Sequence, residues 1–149
     1  MIITGARLTK KQLLGLYDFP SERTHVVYNG VVLARYSPDA STKPRIRPVR
    51  FLFVAQDFGR KGLEYILYAS ALLRPEGIVF HLEILGRDDP KPYQGQAFKL
   101  GRLDTVRFLG SFGRVEAQYR NAGLPVLPML SDPFGNICLE ALACGLPNG

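Results

Sequence analysis

Residues 51–67 read FLFVAQDFGRKGLEYIL, and this stretch decides the fold. Phe51 to Ala55 is a continuous apolar run, the pattern of a strand covered on both faces. A polar, glycine-punctuated loop follows. Leu63, Ile66, Leu67 and Ala71 then recur at the spacing of one helical face. Strand, loop and helix repeat downstream. Phe80 to Leu85 is a second strand closed by Gly86, and Tyr93, Ala97 and Leu100 mark its helix. Val106 to Leu109 is a third strand closed by Gly110, followed by a helix carrying Val115, Tyr119 and Ala122. Leu124 to Leu127 is a short fourth strand despite Pro125 and Pro128, and residues 134–144 form a last helix. Strands alternating with helices imply an α/β fold with a Rossmann-like, doubly wound parallel sheet. Such sheets bind ligands beyond the carboxyl ends of their strands. The loops after Ala55, Gly86, Gly110 and Pro128 are therefore where function is expected.

Upstream the rhythm is less regular. Ile2-Ile3 ends a strand, Leu13, Leu14 and Tyr17 lie on a helix stopped by Pro20, and His25 to Tyr28 is a strand before an Asn29-Gly30 turn. Residues 37–48 are polar and proline-rich, a loop. The chain has 149 residues, a length that suits one domain with a remnant of another. With 46% hydrophobic and 21% charged residues it is neither fibrous nor disordered. It has no membrane-spanning apolar run and no signal peptide, which points to the cytoplasm. Cys138 and Cys144, six apart on one helix, face different ways and are read as reduced thiols. The net charge of +6 favours anionic partners: nucleotide phosphates or an anionic membrane face. The densest basic group, Lys43, Arg45, Arg47 and Arg50, falls in the proline-containing stretch and reads as a solvated loop rather than a nucleic-acid stripe.

The segment SDPFGNICLEALACGLP, residues 131–147, carries the chemistry. From Ile137 to Cys144 every residue except Glu140 is apolar, so the helix reads as buried. A carboxylate there needs a partner, either a structural one such as an arginine or a polar ligand. Asp132 lies eight residues earlier, at the mouth of the helix. The amides of Phe134, Gly135 and Asn136 at the helix start offer donors to anions or hydroxyls. Acid, amide row and second acid together match the phosphates and paired hydroxyls of a nucleotide sugar. Asp88-Asp89, followed by Pro90, reads as a turn rather than a metal pair, and His25 and His81 read as structural. No G-x-G-x-x-G follows the first strand, which disfavours a dinucleotide-binding domain.

The same segment resembles the acidic-x7-acidic signature of the family four retaining glycosyltransferases, which have the two-domain GT-B fold. Their usual form is Glu-Pro-Phe-Gly, then Glu-Ala, then Gly-Leu-Pro. Here Asp132-Pro133-Phe134-Gly135, Glu140-Ala141 and Gly145-Leu146-Pro147 stand in that order. VVYNGVVLARYSP at 26–38 is similar to the family's interdomain segment, 51–67 to its first donor-domain strand, phosphate loop and helix, and ILGRDDPKPY at 84–93 and VRFLGSF at 106–112 to its next strand ends. Phe58 to Gly62 fits the Phe-x-x-Lys-Gly loop of the lipopolysaccharide core glucosyltransferases. Departures are Asp132 for Glu, Ala55-Gln56 for Gly-Arg, Val32 for an acid, and Ala122-Gly123 for Ala-Asp.

The resemblance implies a donor-binding half of a GT-B enzyme. Residues 1–36 would be a remnant of the acceptor domain and linker, 37–48 a loop, and 49–149 a C-terminally truncated donor domain. Glu140 would hold the ribose hydroxyls and Asp132 would face the transferred sugar. The amides of Phe134, Gly135 and Asn136 would meet sugar hydroxyls and diphosphate, and Lys61 with Arg60 would neutralise the diphosphate. Gly86-Arg87 and Phe108-Leu109 would border the base. The donor would be a uridine diphosphate sugar, with no metal and no other cofactor. The missing acceptor domain would be a partner, the isolated chain would transfer no sugar, and exposed apolar residues of 1–36 would favour self-association. The cytoplasmic enzyme would touch the inner membrane face peripherally and bind no nucleic acid. A stand-alone nucleotide-binding module and a truncated product without function are the competing readings.

Overall fold

The central strand of the sheet owes its place to two alternating sets of apolar side chains. A computed structural model of the protein describes residues 1–39, 48–73, 75–111, 113–129 and 134–147. The loop lysine and arginines Lys43, Arg45 and Arg47, and the acid Asp132 with its neighbour Pro133, lie outside the described residues. In the chain order, β1 (Ile2–Thr4), α1 (Arg7–Leu16) and β2 (Thr24–Val26) form an N-terminal unit with a two-stranded parallel sheet. Then follow β3 (Val49–Val54), α2 (Leu63–Leu72), β4 (Phe80–Leu85), α3 (Lys91–Lys99), β5 (Val106–Gly110), α4 (Val115–Asn121), β6 (Leu124–Pro125) and α5 (Asn136–Ala143). The second sheet has the order β5-β4-β3-β6, with every pairing parallel.

Successive side chains of a strand point to opposite faces, and the two faces are filled separately. Phe53, Phe80, Leu82, Ile84 and Val106 meet Leu63 and Leu67 of α2 and Ala97 of α3 in one core. Leu52 and Leu85 meet Tyr119 of α4 and Ala141 of α5 in the other. Helices on both faces of a parallel sheet make the doubly wound architecture that the alternating pattern predicts. After β5 the chain returns to the opposite side of β3, so the strand order reverses between β3 and β6. That reversal opens a crevice beyond their carboxyl ends.

Several boundaries differ from expectation for identifiable reasons. β3 begins at Val49 because Val49 and Arg50 already pair with Phe80 and His81. β6 covers two residues instead of four. Pro125 and Pro128 have no amide hydrogen to extend a ladder, although the Val126 amide still donates to Leu52 O at 2.9 Å. α5 begins at Asn136, not 134, because Gly135 takes a left-handed conformation (φ 67°) as its N-cap. It closes with Leu146 N–H donating to Ala141 O and Gly145 N–H to Leu142 O, a Schellman ending that buries Leu146.

The expectation that α5 is buried all round is corrected: Ala141 is buried, but Leu142 is 48% exposed and Ile137 to Glu140 are half-buried. α5 follows β6, which among the described residues pairs only with β3. Among the described residues, nothing covers its outer side. Cys138 and Cys144 form no disulfide. Tyr36, from the stretch read as linker, is only 7% exposed and joins the α4/α5 core. No described helix is long and apolar enough to cross a membrane.

Candidate functional site

Three regions meet at the carboxyl ends of the strands: the β3–α2 loop, the β4 and β5 exits, and the exit of β6 with the start of α5. The β3–α2 loop is shaped by carboxylates. Asp88, just after β4, accepts the amide of Asp57 at 3.1 Å and that of Phe58 at 2.7 Å. Asp57 adopts a left-handed backbone (φ 64°). It accepts the Arg60 amide through Oδ1 and the Arg60 guanidinium through Oδ2, each at 3.1 Å. The Arg60 amide, followed in effect by the Arg60 guanidinium, holds the Asp57 carboxyl below the usual carboxylate range despite some opposing desolvation. The second acid of the 88–89 pair, Asp89, accepts the Lys91 amide at 3.0 Å. Both aspartates therefore act as loop caps, consistent with a turn.

Gly62 brings this loop against β6. Its φ is 80°, and a Cβ there would overlap the Pro128 carbonyl, so the contact has room for glycine only. The neighbouring Lys61 reaches the same place: its Nζ lies 3.6 Å from Met129 Sδ, at the exit of β6. Lys61 is thus carried into the crevice. Arg60 is instead held in an exposed ion pair with Asp57.

Between the β4 and β5 exits lies a cavity of about 330 Å³ whose walls include Phe58, Gly86, Phe108 and Leu109. Gly86 is in close contact with Phe58 and Ala55 O, and any larger residue would displace them. Three of the four residues expected around a base are thereby brought together. Arg87, the fourth, is exposed and not among the lining residues.

The last part of the site is built on α5. The first-turn amides of Asn136 and Ile137 have no intrahelical acceptor by position, whereas Cys138 N–H donates to Gly135 O at 2.8 Å. Phe134 stacks on Tyr28 with ring centroids 5.9 Å apart, and the Asn136 side-chain oxygen accepts the Asn29 amide at 2.9 Å. These contacts seat the Asn29-Gly30 segment on the start of α5. It forms no turn, contrary to expectation; the chain turns instead at residues 33–35, where the Arg35 amide donates to Val32 O. Sequence reasoning did not foresee them, although both partners carry amide or aromatic groups suited to such pairing.

Glu140 lies one turn further along and lines a cavity of about 340 Å³ together with Asn29, Gly30, Val31, Val32, Tyr36 and Asn136. Its partner is not an arginine. The hydroxyl of Tyr119, on α4, donates to Glu140 Oε2 at 3.0 Å. Burial, then the Glu140 charge and the hydrogen bond to it, push the Tyr119 hydroxyl far above its ordinary range, so it stays a protonated donor. Burial and then the same carboxylate raise Tyr36, whose ring is 6.2 Å from that of Tyr119. A neutral donor steadies the carboxylate and leaves its charge available. Asp132, expected at the mouth of this site, lies outside the described residues.

The arrangement offers an ammonium, helix-start amides and a tethered carboxylate around one crevice, which suits a ligand carrying phosphates and hydroxyls. Comparison with known proteins identifies the family. Residues 37–148 match the family model described as glycosyl transferases group 1. The chain is 28% identical to the uncharacterized glycosyltransferase MJ1607 of Methanocaldococcus jannaschii, over 98% of its own length and 40% of the relative's. A crystal structure of WaaG, a glycosyltransferase involved in lipopolysaccharide biosynthesis, superposes with a TM-score of 0.89 at 25% identity, over 98% of this chain and 42% of that one. The structure of Anabaena HepE in complex with UDP and glucose shares the fold, with a TM-score of 0.84 at 20% identity, covering 99% and 43%. The chain thus spans about two fifths of the length of each of these proteins. With three quarters of its residues inside the family model and a GT-B-type Rossmann-like sheet, the chain belongs to the group 1 glycosyl transferases.

Proposed function

We propose that this chain binds a nucleotide-diphospho-sugar, and that it supplies the donor half of a retaining hexosyl transfer in the synthesis of lipopolysaccharide or another cell-surface glycan. The observation that carries the reading is Glu140. It is a half-buried carboxylate held by the neutral Tyr119 at the wall of a cavity, with no described cation paired to it. A carboxylate so placed accepts from hydroxyls such as those of a ribose. HepE, which binds UDP and glucose in its crystal structure, supports the donor class, and WaaG supports the pathway.

In this reading the base enters the cavity walled by Gly86, Phe108 and Leu109. The diphosphate lies across the crevice, met by Lys61 and by the amides at the start of α5, and the sugar extends toward Asp132. Chemistry consists of breaking the bond between the anomeric carbon and the diphosphate oxygen, with the oxygen of an acceptor hydroxyl bonding on the same face and its proton passing to the departing diphosphate. Negative charge develops on the leaving diphosphate. Fixed amides and the Lys61 ammonium stabilise it there, the work a metal does in other transferases.

Calorimetric titration tests the reading. Hydrogen bonds to a charged group contribute roughly 1.5–3 kcal/mol, so Glu140→Gln is expected to weaken uridine diphosphate binding by about tenfold or somewhat more. Asp132→Asn is expected to leave uridine diphosphate affinity unchanged and to weaken only the complete nucleotide sugar. Unchanged nucleotide affinity in Glu140→Gln, with a large fall in melting temperature, would make Glu140 a structural group and defeat the assignment.

A further inference from the structure

Glutamate has three side-chain torsions, and a carboxylate that must meet a ligand in one orientation loses that freedom on binding unless something already holds it. In this protein something does. Tyr119 is fully buried on α4, and its hydroxyl reaches across to α5 to hold Oε2 of Glu140. The Tyr119 ring is wedged against that of Tyr36, itself in the core, so the donor cannot swing away without opening the packing between helix and sheet. Oε1 is the carboxylate's other acceptor, on a residue that lines the cavity shared with Asn136 and with Tyr36, whose hydroxyl also interacts with Glu140.

We propose that Tyr119 is a positioning residue for donor recognition: its hydroxyl fixes Glu140 so that the carboxylate presents an acceptor edge to a vicinal diol, as in a ribose. The proposal rests on the donor-site reading above. The choice of a tyrosine is informative. An arginine would engage both carboxylate oxygens in a fork and neutralise the charge. A phenol takes one oxygen and leaves the charge in place. Because Tyr119 remains protonated, it cannot turn from donor to acceptor and repel the carboxylate. Tyr119 itself has no need to touch the ligand, so its effect should be seen only through the hydroxyls that Glu140 recognises.

The experiment uses the whole chain and two probes, uridine diphosphate and 2′,3′-dideoxy-uridine diphosphate, titrated against the unmodified protein, Tyr119→Phe and Glu140→Gln, with thermal melts in parallel. Tyr119→Phe is expected to weaken uridine diphosphate about five- to tenfold, the range of one hydrogen bond. The dideoxy compound should change by less than about twofold. Equal losses for both probes mean general damage to the site and overturn the proposal. Unchanged affinity for both overturns it too, while leaving the donor reading intact if Glu140→Gln still weakens uridine diphosphate. No binding of uridine diphosphate to the unmodified chain overturns the donor reading and this one together. Should Tyr119→Phe fail to fold, 3-fluorotyrosine incorporated at Tyr119 keeps the shape and strengthens the donor. It must then tighten uridine diphosphate and not the dideoxy compound, and unchanged affinity for both overturns the proposal.

Discussion

The two faces of the four-stranded sheet are packed by different rules. On the α2/α3 face, Phe53, Leu63, Leu67, Phe80, Leu82 and Ile84 pack with almost no polar group among them. On the α4/α5 face, apolar contacts are interrupted by Tyr36, Tyr119, Glu140 and, toward the strand starts, the Arg50–Glu83 ion pair. The first face contributes stability and, through Phe58 and Phe108, walls of the cavity at the β4 and β5 exits. The second gives up apolar contact for polar groups whose orientation matters, and of these Tyr36 and Glu140 line a cavity beside the start of α5. The difference teaches that the groups whose orientation matters sit on one face of the sheet, while the other face supplies the foundation and the apolar walls of the β4/β5 cavity.

The sharpest way to break this contrast is on the dry side. Phe53 is fully buried, and Phe→Ala substitutions in such cores cost about 3–5 kcal/mol. Phe53→Ala should therefore shift the denaturant midpoint strongly while the remaining folded protein keeps its nucleotide affinity. A loss of affinity without loss of stability would erase the division between faces. Gly62→Ala comes next. Its left-handed backbone and its contact with the Pro128 carbonyl predict a cost of about 2 kcal/mol. Unlike Phe53→Ala, it should also displace Lys61 from the crevice and weaken nucleotide binding, which titration calorimetry reads alongside the melt.

The polar face predicts the larger pH dependence, with Tyr93 beside the dry face adding to it. Tyr119 has a folded pKa raised above the unfolded value near 10, chiefly by burial. Its contribution to stability is complete below about pH 10 and is lost as pH rises toward the folded value. Stability should then fall by about 1.4 kcal/mol for each pH unit above 10 on its account, with Tyr36 and Tyr93 acting in the same direction. Urea denaturation at pH 9, 10 and 11 checks this, and Tyr119→Phe should flatten the slope. An unchanged slope would show that the hydroxyl titrates freely. The smallest effect is expected at Arg35, whose bond to Glu116 is solvent-exposed: Arg35→Ala should leave the melting temperature nearly unchanged.

What the sequence disclosed follows the same division. The dry face was legible because a run such as Phe51 to Ala55 has one explanation, a strand covered on both sides, and Gly86 and Gly110 mark where such strands end. The lobe's α/β order followed from that. The polar face was legible only in its residue types. Glu140 stood out as the one carboxylate in an apolar helix, but its partner Tyr119 is 21 residues away on another helix and looked like an ordinary apolar-face residue. Nothing local distinguishes a tyrosine that donates from one that merely packs. Asp88 is a similar case: its capping of the Asp57 and Phe58 amides depends on two loops meeting, which only the sheet order arranges. α5 has the composition of a buried helix, but composition does not encode that, among the described residues, the strand before it pairs on one side only.

Tyr36 has a consequence for anyone who recombines such proteins. It precedes the first residue of the family match, yet its ring packs on Tyr119 and it helps close the α4/α5 core. Around it, Arg120 ties the same segment down by donating to the carbonyls of Arg35 and Ser37 at 2.9 and 2.8 Å. A chimera joined at residue 37 would inherit someone else's side chain at the back of Glu140, and with it an altered hydroxyl register. The natural splice point lies upstream of Val31, where the exchanged cassette carries its own tyrosine.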